Sequence, residues 1–403
     1  MKNQRVIVMG AGASKAYSDS PTQLKMPISS DFFQTYSKLE ISSNPWVLVG
    51  YIINYLEHYL NIPAIQFGDL TVDIETVHTE MEERLIRAMN NNNFEDILRT
   101  WNAYVQMHFL FASVLNEIQN GPISQSHRRL AQCLSQEDCV VTFNWDCLID
   151  RALESETSWV PDQGYYVVPS AIYDDKWVKP YTPYDSDFPL LLKLHGSTNW
   201  LTSYLRLDEN NQPSFTHTTG PEDFYVYKNA NSPYSCYDGR YMPGYQPYSF
   251  GYYPPNIPPP GIEAPEEHIF VRVTPRNPFI SKGTSNSTGL ESMPLIIPPV
   301  KSKNYNMFGG LFVKIWEKTR IALSEADEIH IYGYSFPSTD VQVQRLFEKA
   351  FLKRQTPPNV VIVNPQPAEI LHRFTHLLGV PQKNVQIFEE YIDESFDYAK
   401  LLS

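Results

Sequence analysis

Along the chain, short and fully apolar runs alternate with longer stretches of helical spacing. The first run, Arg5 to Met9 (Arg-Val-Ile-Val-Met), ends at a glycine turn, Gly10-Ala11-Gly12-Ala13-Ser14. A short apolar run bounded by glycine predicts a buried strand. Strands are also predicted at Cys139 to Phe143, Leu190 to Leu194, Glu328 to Tyr332 and Val360 to Val363, most running into polar residues. Between the last two, Val343, Leu346, Phe347, Ala350 and Phe351 share one helical face, stopped by Pro357-Pro358. Another helix, with Leu311, Ile315, Trp316 and Leu323, precedes the fourth run. Apolar strands separated by helices predict a parallel sheet covered on both faces. The expected fold class is therefore α/β, a Rossmann-like doubly wound parallel sheet.

Two blocks break this rhythm. Trp46, Val49, Ile53, Leu56 and Leu60, then Leu85 with Met89, then Ile97, Leu98, Trp101, Val105 and Phe109 recur at helical spacing. Residues 36–130 are thus expected to be a helical insertion. Residues 213–300 are crowded with Pro and Tyr, as in Pro254 to Gly261. Such sequence suits neither helix interior nor central strand, so a long surface insertion is expected, the alternative being a lid or partner-binding loop. The sheet domain is left with 1–35, 131–212 and 301–403.

The 403 residues allow several modules, but the pattern favours one sheet carrying two insertions. No apolar run approaches the roughly 18 residues of a membrane span. The net charge of −13, without any Lys/Arg run against it, argues against nucleic acid as a direct ligand. Cys133, Cys139, Cys147 and Cys236 are too few for a disulfide framework and contain no CxxC pair, so no metal is expected and a cytoplasmic home fits best. Lys2 and Arg5 ahead of residues 6–13 imitate a short signal peptide, though the glycines suit a turn better.

In an open parallel sheet, ligands bind beyond the carboxyl ends of the strands. The candidate residues at those ends are Gly10, Ala11, Gly12 and Ser14; Asn144 and Asp146; His195; Gly333 and Ser335; and Asn364. The first turn offers backbone N–H groups to a pyrophosphate, with Gly12 allowing close approach and Ser14 adding a hydroxyl. Lys15 stands where the third glycine of a dinucleotide fingerprint would be, which excludes a standard dehydrogenase loop. Asp31 reads as a helix cap with Gln34 as its reciprocal partner. Taken singly, Asn144 and Asp146 read rather as caps of the helix beginning near Cys147, and His195 equally as a structural histidine. Their shared position at neighbouring strand ends is what favours a site.

Together the motifs resemble the sirtuin-like NAD-binding family, and within it the bacterial anti-phage NAD-hydrolase branch. The matching pieces are Gly10 to Ser14, Thr142 to Asp146, Lys193 to Ser197, Ile296 to Pro299, Gly333 to Asp340 and Val363-Asn364. They occur in the family's order and span nearly the whole chain outside the two insertions. The resemblance implies that Gly10, Ala11, Gly12 and Ser14 hold the NAD phosphates, while Asn144 contacts the nicotinamide ribose and orients water. It further implies that Asp146 engages the carboxamide side, that His195 is the base for a ribose hydroxyl, and that Gly333, Ser335 and Asn364 line the adenosine end.

Two departures separate this chain from the family's protein deacylases. It has no zinc-ribbon spacing, and Ser30-Asp31-Phe32-Phe33 lacks the Arg of their Pro-Asp-Phe-Arg run. The expectation is hydrolysis of NAD+ to nicotinamide and ADP-ribose, with NAD a substrate. The alternatives are a deacylase or ADP-ribosyltransferase, or a non-catalytic NAD or ADP-ribose sensor. The resemblance also implies a homo-oligomer and a defence-system partner, such as a HerA-like ATPase or a prokaryotic Argonaute.

Overall fold

A computed structural model describes residues 4–39, 46–174, 176–180, 187–203, 205–210, 213–215, 224–228, 271–273, 290–297, 310–337, 340–352 and 354–402. Its central element is a six-stranded sheet of β1 (Arg5–Met9), β2 (Cys139–Thr142), β3 (Leu190–Lys193), β4 (Glu328–Tyr332), β5 (Asn359–Val363) and β6 (Val385–Phe388). Across the sheet the order is β3-β2-β1-β4-β5-β6, and every neighbouring pair is parallel. That order reverses direction between β1 and β4, the crevice where α/β sheets bind dinucleotides.

The expected α/β doubly wound sheet is therefore present. Val6, Ile7, Val8 and Met9 are all buried although alternate side chains point to opposite faces, so both faces of β1 are covered. The helices Gln125–Gln132 and Leu148–Glu156 pack on one another, as do Gly310–Glu325 and Val341–Phe351, and all four feed the core of the sheet. Phe143 and Leu194 lie just past their strands. β6 carries no strong sequence signal, because three of its four residues are half-buried and the fourth is exposed.

A second sheet was not foreseen. It orders Val271–Val273, Leu290–Ile296, Gly196–Ser203, Tyr225–Lys228, Ala171–Asp174 and Lys176–Val178. Four of the residue runs that pair as strands, including Pro213–Phe215 in a small hairpin, fall inside the stretch expected to be a surface loop. Leu290–Ile296 even pairs on both sides despite Pro294, which is accommodated where the register shifts between Pro294 and Ile296. The runs Tyr241 to Tyr245 and Pro254 to Gly261 lie outside the described residues.

This sheet is the middle layer of the molecule. Trp200, Phe224, Val226 and Leu295 join the core of the parallel sheet, whereas Leu201, Tyr225, Met293 and Ile296 join the core of the helical block. Alternation along each strand divides its side chains between the two cores. In the helical block, Trp46–Leu60 and Ile74–Asn90 flank the 26-residue helix Phe94–Gln119. Asp73 and Asn93 cap two of these helices through their side chains, accepting from the Glu75 and Asp96 N–H groups. The long helix is not one-sided as its spacing suggests: every position from Val105 to Gln119 is buried, because the second sheet closes its remaining face. Among the described residues no helix is long and apolar enough to cross a membrane.

Candidate functional site

Beyond the carboxyl end of β1 the chain makes one helical turn, Ala11–Ser14. The Gly10 N–H donates to Tyr332 O and the Gly12 N–H to Gly333 O, each at 3.0 Å, so this turn is sewn to the turn after β4. Two backbones touch here. A Cβ on Gly12 would stand 2.8 Å from Gly333 O, and one on Gly333, whose φ is +62°, only 2.3 Å from the Ala13 nitrogen. The close approach that Gly12 permits is thus to Gly333, across the point where the sheet order reverses.

Asn144 and Asp146 follow β2 and reach back to this turn. The Asn144 Nδ2 donates to Gly10 O at 2.9 Å and to Ser14 Oγ at 2.8 Å; Ser14 Oγ in turn donates to Asp146 Oδ2 at 2.6 Å. Asp146 Oδ1 accepts from the Leu148 N–H, so the helix-start reading of Asp146 and its membership of the site are both satisfied by one side chain. With both amide protons of Asn144 committed, its remaining polar atom is the carbonyl oxygen, an acceptor for a hydroxyl or a water.

A buried cation supports this corner from below. Lys193, at the end of β3, donates from Nζ to Asp146 O at 2.6 Å and to Asp150 Oδ2 at 2.9 Å, and the Tyr165 hydroxyl donates to Asp150 Oδ1. Burial pulls the Lys193 ammonium down, but Asp150, with Cys147 and Asp146, outweighs it and leaves the group above its ordinary value. Burial raises the Tyr165 phenol well above its usual range, so it remains a donor. From the helical block, Gln119 Oε1 accepts from the Cys147 N–H and its Nε2 donates to Thr198. Arg151 caps the end of the long helix through Gln119 O and Gly121 O.

His195 follows β3. Its ring lies 5.3 Å from that of Phe143, which stacks on Tyr334 at 4.3 Å, and its Nε2 is 3.7 Å from Asp340 Oδ2. Asn364, after β5, folds its Oδ1 onto the Gln366 N–H. Asp31 does precede the helix Phe32–Ser37, but its side chain makes no cap bond there. It accepts instead from the Ile28 N–H and pairs with Lys15 at 2.9 Å. The residue occupying the third glycine position is thus held by the supposed cap.

These elements enclose a cavity of about 1010 Å³. Gly10, Ala11, Gly12, Ser14, Asn144, Asp146, His195, Gly333, Ser335 and Asn364 all line it. Its walls also include residues the sequence did not single out: Lys25, Met26 and Ile28 after the first turn, Ile74 and Leu115 from the helical block, and Glu390 to Ser395 after β6. Their signal was absent because they come from segments far apart in the chain and follow no motif. Among the described residues no group of three or more His, Cys, Asp or Glu could hold a metal ion. Pro298, Pro299, Ser338 and Thr339 of the quoted motifs lie outside the described residues.

No protein-family model matches the chain, and no curated protein does. Solved structures that match include a Sir2 homologue mutant complexed with ADP ribose, 12% identical with TM-score 0.34 over 99% of this chain and 90% of that one. Another is a Sir2 homologue complexed with NAD, 12% identical with TM-score 0.35 over 99% of this chain and 91% of that one. A third, from work on the mechanism and regulation of Sir2 enzymes, is 11% identical with TM-score 0.34 over 96% and 87%. These are distant likenesses at low identity.

Proposed function

We propose that the chain is an NAD+ hydrolase that cleaves the nicotinamide–ribose bond, releasing nicotinamide and ADP-ribose. The observation that carries this reading is a single one. Side chains and turns from five strand ends, including Ser14, Asn144, Asp146 and His195, line one cavity at the reversal point of a dinucleotide-type sheet. On this reading residues 1–35, 131–212 and 301–403 carry the NAD site, and 36–130 and 213–300 are insertions.

The chemistry suits the groups. Nicotinamide leaves as a neutral molecule from a cationic pyridinium, so the bond needs no strong general acid, although its transition state is oxocarbenium-like as in glycoside hydrolysis. The protein then has three tasks: to hold the phosphates and riboses, to favour positive charge on the sugar, and to place water. Asn144, its amide fixed by Gly10 and Ser14, offers a carbonyl oxygen to water or a ribose hydroxyl. Asp146 fixes Ser14 and places negative charge beside the developing cation. His195 accepts a proton from a ribose hydroxyl, a role for which an ordinary imidazole is matched to neutral pH. Gly333, Ser335 and Asn364 border the adenosine end.

Uncontrolled hydrolysis would exhaust a shared cofactor, so this reading carries with it a trigger, supplied by self-association or by a partner such as the HerA-like ATPase of an anti-phage system. The test is to incubate the purified chain with NAD+ and measure nicotinamide, alone and with a co-expressed neighbour. Release in either condition is expected; none in both would sink the reading. Tight NAD+ binding without release would favour a sensor, and an acetylated or protein-linked ADP-ribose product a deacylase or transferase.

A further inference from the structure

The loop after β4 spends unusual effort on one carboxylate. Asp340 is the N-cap residue of Val341–Phe351, a position where an Asp side chain ordinarily accepts from an N–H of the first turn. It makes no such bond, and it is 5% exposed. Its Oδ2 instead accepts from the Tyr334 hydroxyl at 3.4 Å and lies 3.7 Å from His195 Nε2. A carboxylate withdrawn from its cap and from water needs compensation by hydrogen bonds or a cation.

The same loop holds an unfavourable backbone. Phe336, which is not glycine, has φ +52°. It is held there by ring contacts to Phe347 and Phe374, and by Arg373, which packs over its ring and donates to its carbonyl. Strain of this kind persists where the surroundings over-determine it, and it clusters at working sites. Phe336 stands between Tyr334 and Asp340 in the chain, the two residues that meet beside the imidazole.

We propose that Asp340 is a positioning residue for His195, fixing the orientation of the ring and stabilising the imidazolium formed when His195 takes a proton. This rests on the hydrolase reading, in which that proton comes from a ribose hydroxyl. The proton passes from the hydroxyl oxygen to the imidazole and then to solvent, and the water that adds at the anomeric carbon returns a proton to the ribose oxygen; Asp340 itself exchanges no proton in the step. The other ionisable groups on the elements around the ring are already engaged. Asp146 holds Ser14 and the Leu148 N–H, Lys193 is paired with Asp150, and the Tyr334 hydroxyl is turned to Asp340. Lys15, Lys25, Glu75, Glu390, Asp393 and Glu394 also line the cavity.

The test is an NMR titration of the His195 imidazole in the full chain, comparing wild type with Asp340→Asn, Asp340→Ser and Asp340→Glu. Asn and Ser are as good as Asp at a helix N-cap, so the two neutral variants keep the helix start while removing the charge. In both, His195 is expected to titrate about 1 to 3 pH units lower, and Asp340→Glu to restore most of the difference. An unchanged titration overturns the proposal, as does a shift that Asp340→Glu fails to restore. In nicotinamide release, Asp340→Asn should lower kcat by about 10² or more at nearly constant KM, because the ring is misoriented rather than the substrate lost. The acid limb of the pH profile should also move to lower pH. A parallel loss in kcat and KM with an unmoved limb would mark a merely structural role. If wild type releases no nicotinamide at any pH, the hydrolase reading fails, while the titration still decides whether Asp340 governs His195.

Discussion

In the parallel sheet, Val6 to Met9, Val140, Val141, Leu191 and Leu192 are buried without a polar side chain among them, and polar groups collect beyond the strand ends. In the helix Phe94–Gln119, Thr100, Gln106, His108, Ser113, Asn116, Glu117 and Gln119 are buried along its length, between apolar neighbours. The difference follows from where each element satisfies its backbone and what surrounds it. A doubly covered strand favours apolar side chains, so the sheet places much of its polarity at one edge, although His330 is buried within β4 and pairs there with Tyr332 and Glu328. A helix enclosed on every side buries its polar positions too and pairs some of them internally, as Gln106 does with the Tyr51 and Ile52 N–H groups. One region is built to gather chemistry; the other buries polar groups as part of its packing.

The contrast can be broken at its strongest point first. His195→Ala should cut nicotinamide release by about 10² to 10⁴ while ADP-ribose binding, followed by calorimetry, persists. If release survives, the strand-end edge is not where the chemistry sits. Asp150→Ala would leave Lys193 buried without its carboxylate partner, and should cost about 3 to 5 kcal/mol in denaturant melts. A loss below 1 kcal/mol would show that the site's floor does not depend on this pair.

The helical block should answer to pH instead. Burial lowers His108 to about 4 and holds His78, with His108 beside it, well below the ordinary imidazole value. Burial likewise lowers His127, in the helix Gln125–Gln132 that packs against Leu148–Glu156, to about 4. Unfolding lets these rings take up protons, so their stabilisation is full above about pH 6.5 and is lost as the pH falls, for His108 and His127 toward pH 4 and at about 1 to 3 kcal/mol each. Glu82, raised by burial and by Glu83 to about 7, works in the opposite sense over pH 4.5 to 7 and offsets part of the loss. Urea melts at pH 7 and 5 should show the net fall, and His108→Gln should flatten it. The smallest effect is expected at the Lys15–Asp31 pair. Lys15→Ala removes a pair exposed by about a third on each side, and should change stability by about 0 to 1 kcal/mol.

The strands that could be read from sequence were those buried on both faces: the run Arg5 to Met9 reads better as a buried strand than as a signal peptide once Gly10 follows. What escaped was of two kinds. Strands such as Lys176–Val178 and Leu290–Ile296 are short or carry a proline, and they are specified by partners distant in the chain rather than by their own pattern. Asp340 was visible within its motif, but its relation to His195 depends on strand order, since β3 and β4 are separated by β2 and β1. Asp31 shows a third limit. Its position before a helix was legible, whereas its choice of Lys15 over the helix N–H groups was decided by a neighbour folding back upon it.

The central strand has a consequence for biogenesis. Arg5 of β1 lies opposite Glu328 of β4, so one edge of β1 waits for a partner made more than 300 residues later. At about 5 to 20 residues per second, that wait is roughly 16 to 65 s. The extra loop length costs little in equilibrium entropy, because closure grows only with the logarithm of length. Its burden falls on nascent chains, which carry an apolar, hydrogen-bond-hungry edge until Glu328 has been made. Chains halted before Glu328 should therefore partition into aggregates, whereas full-length chains bury that edge at the centre of the sheet.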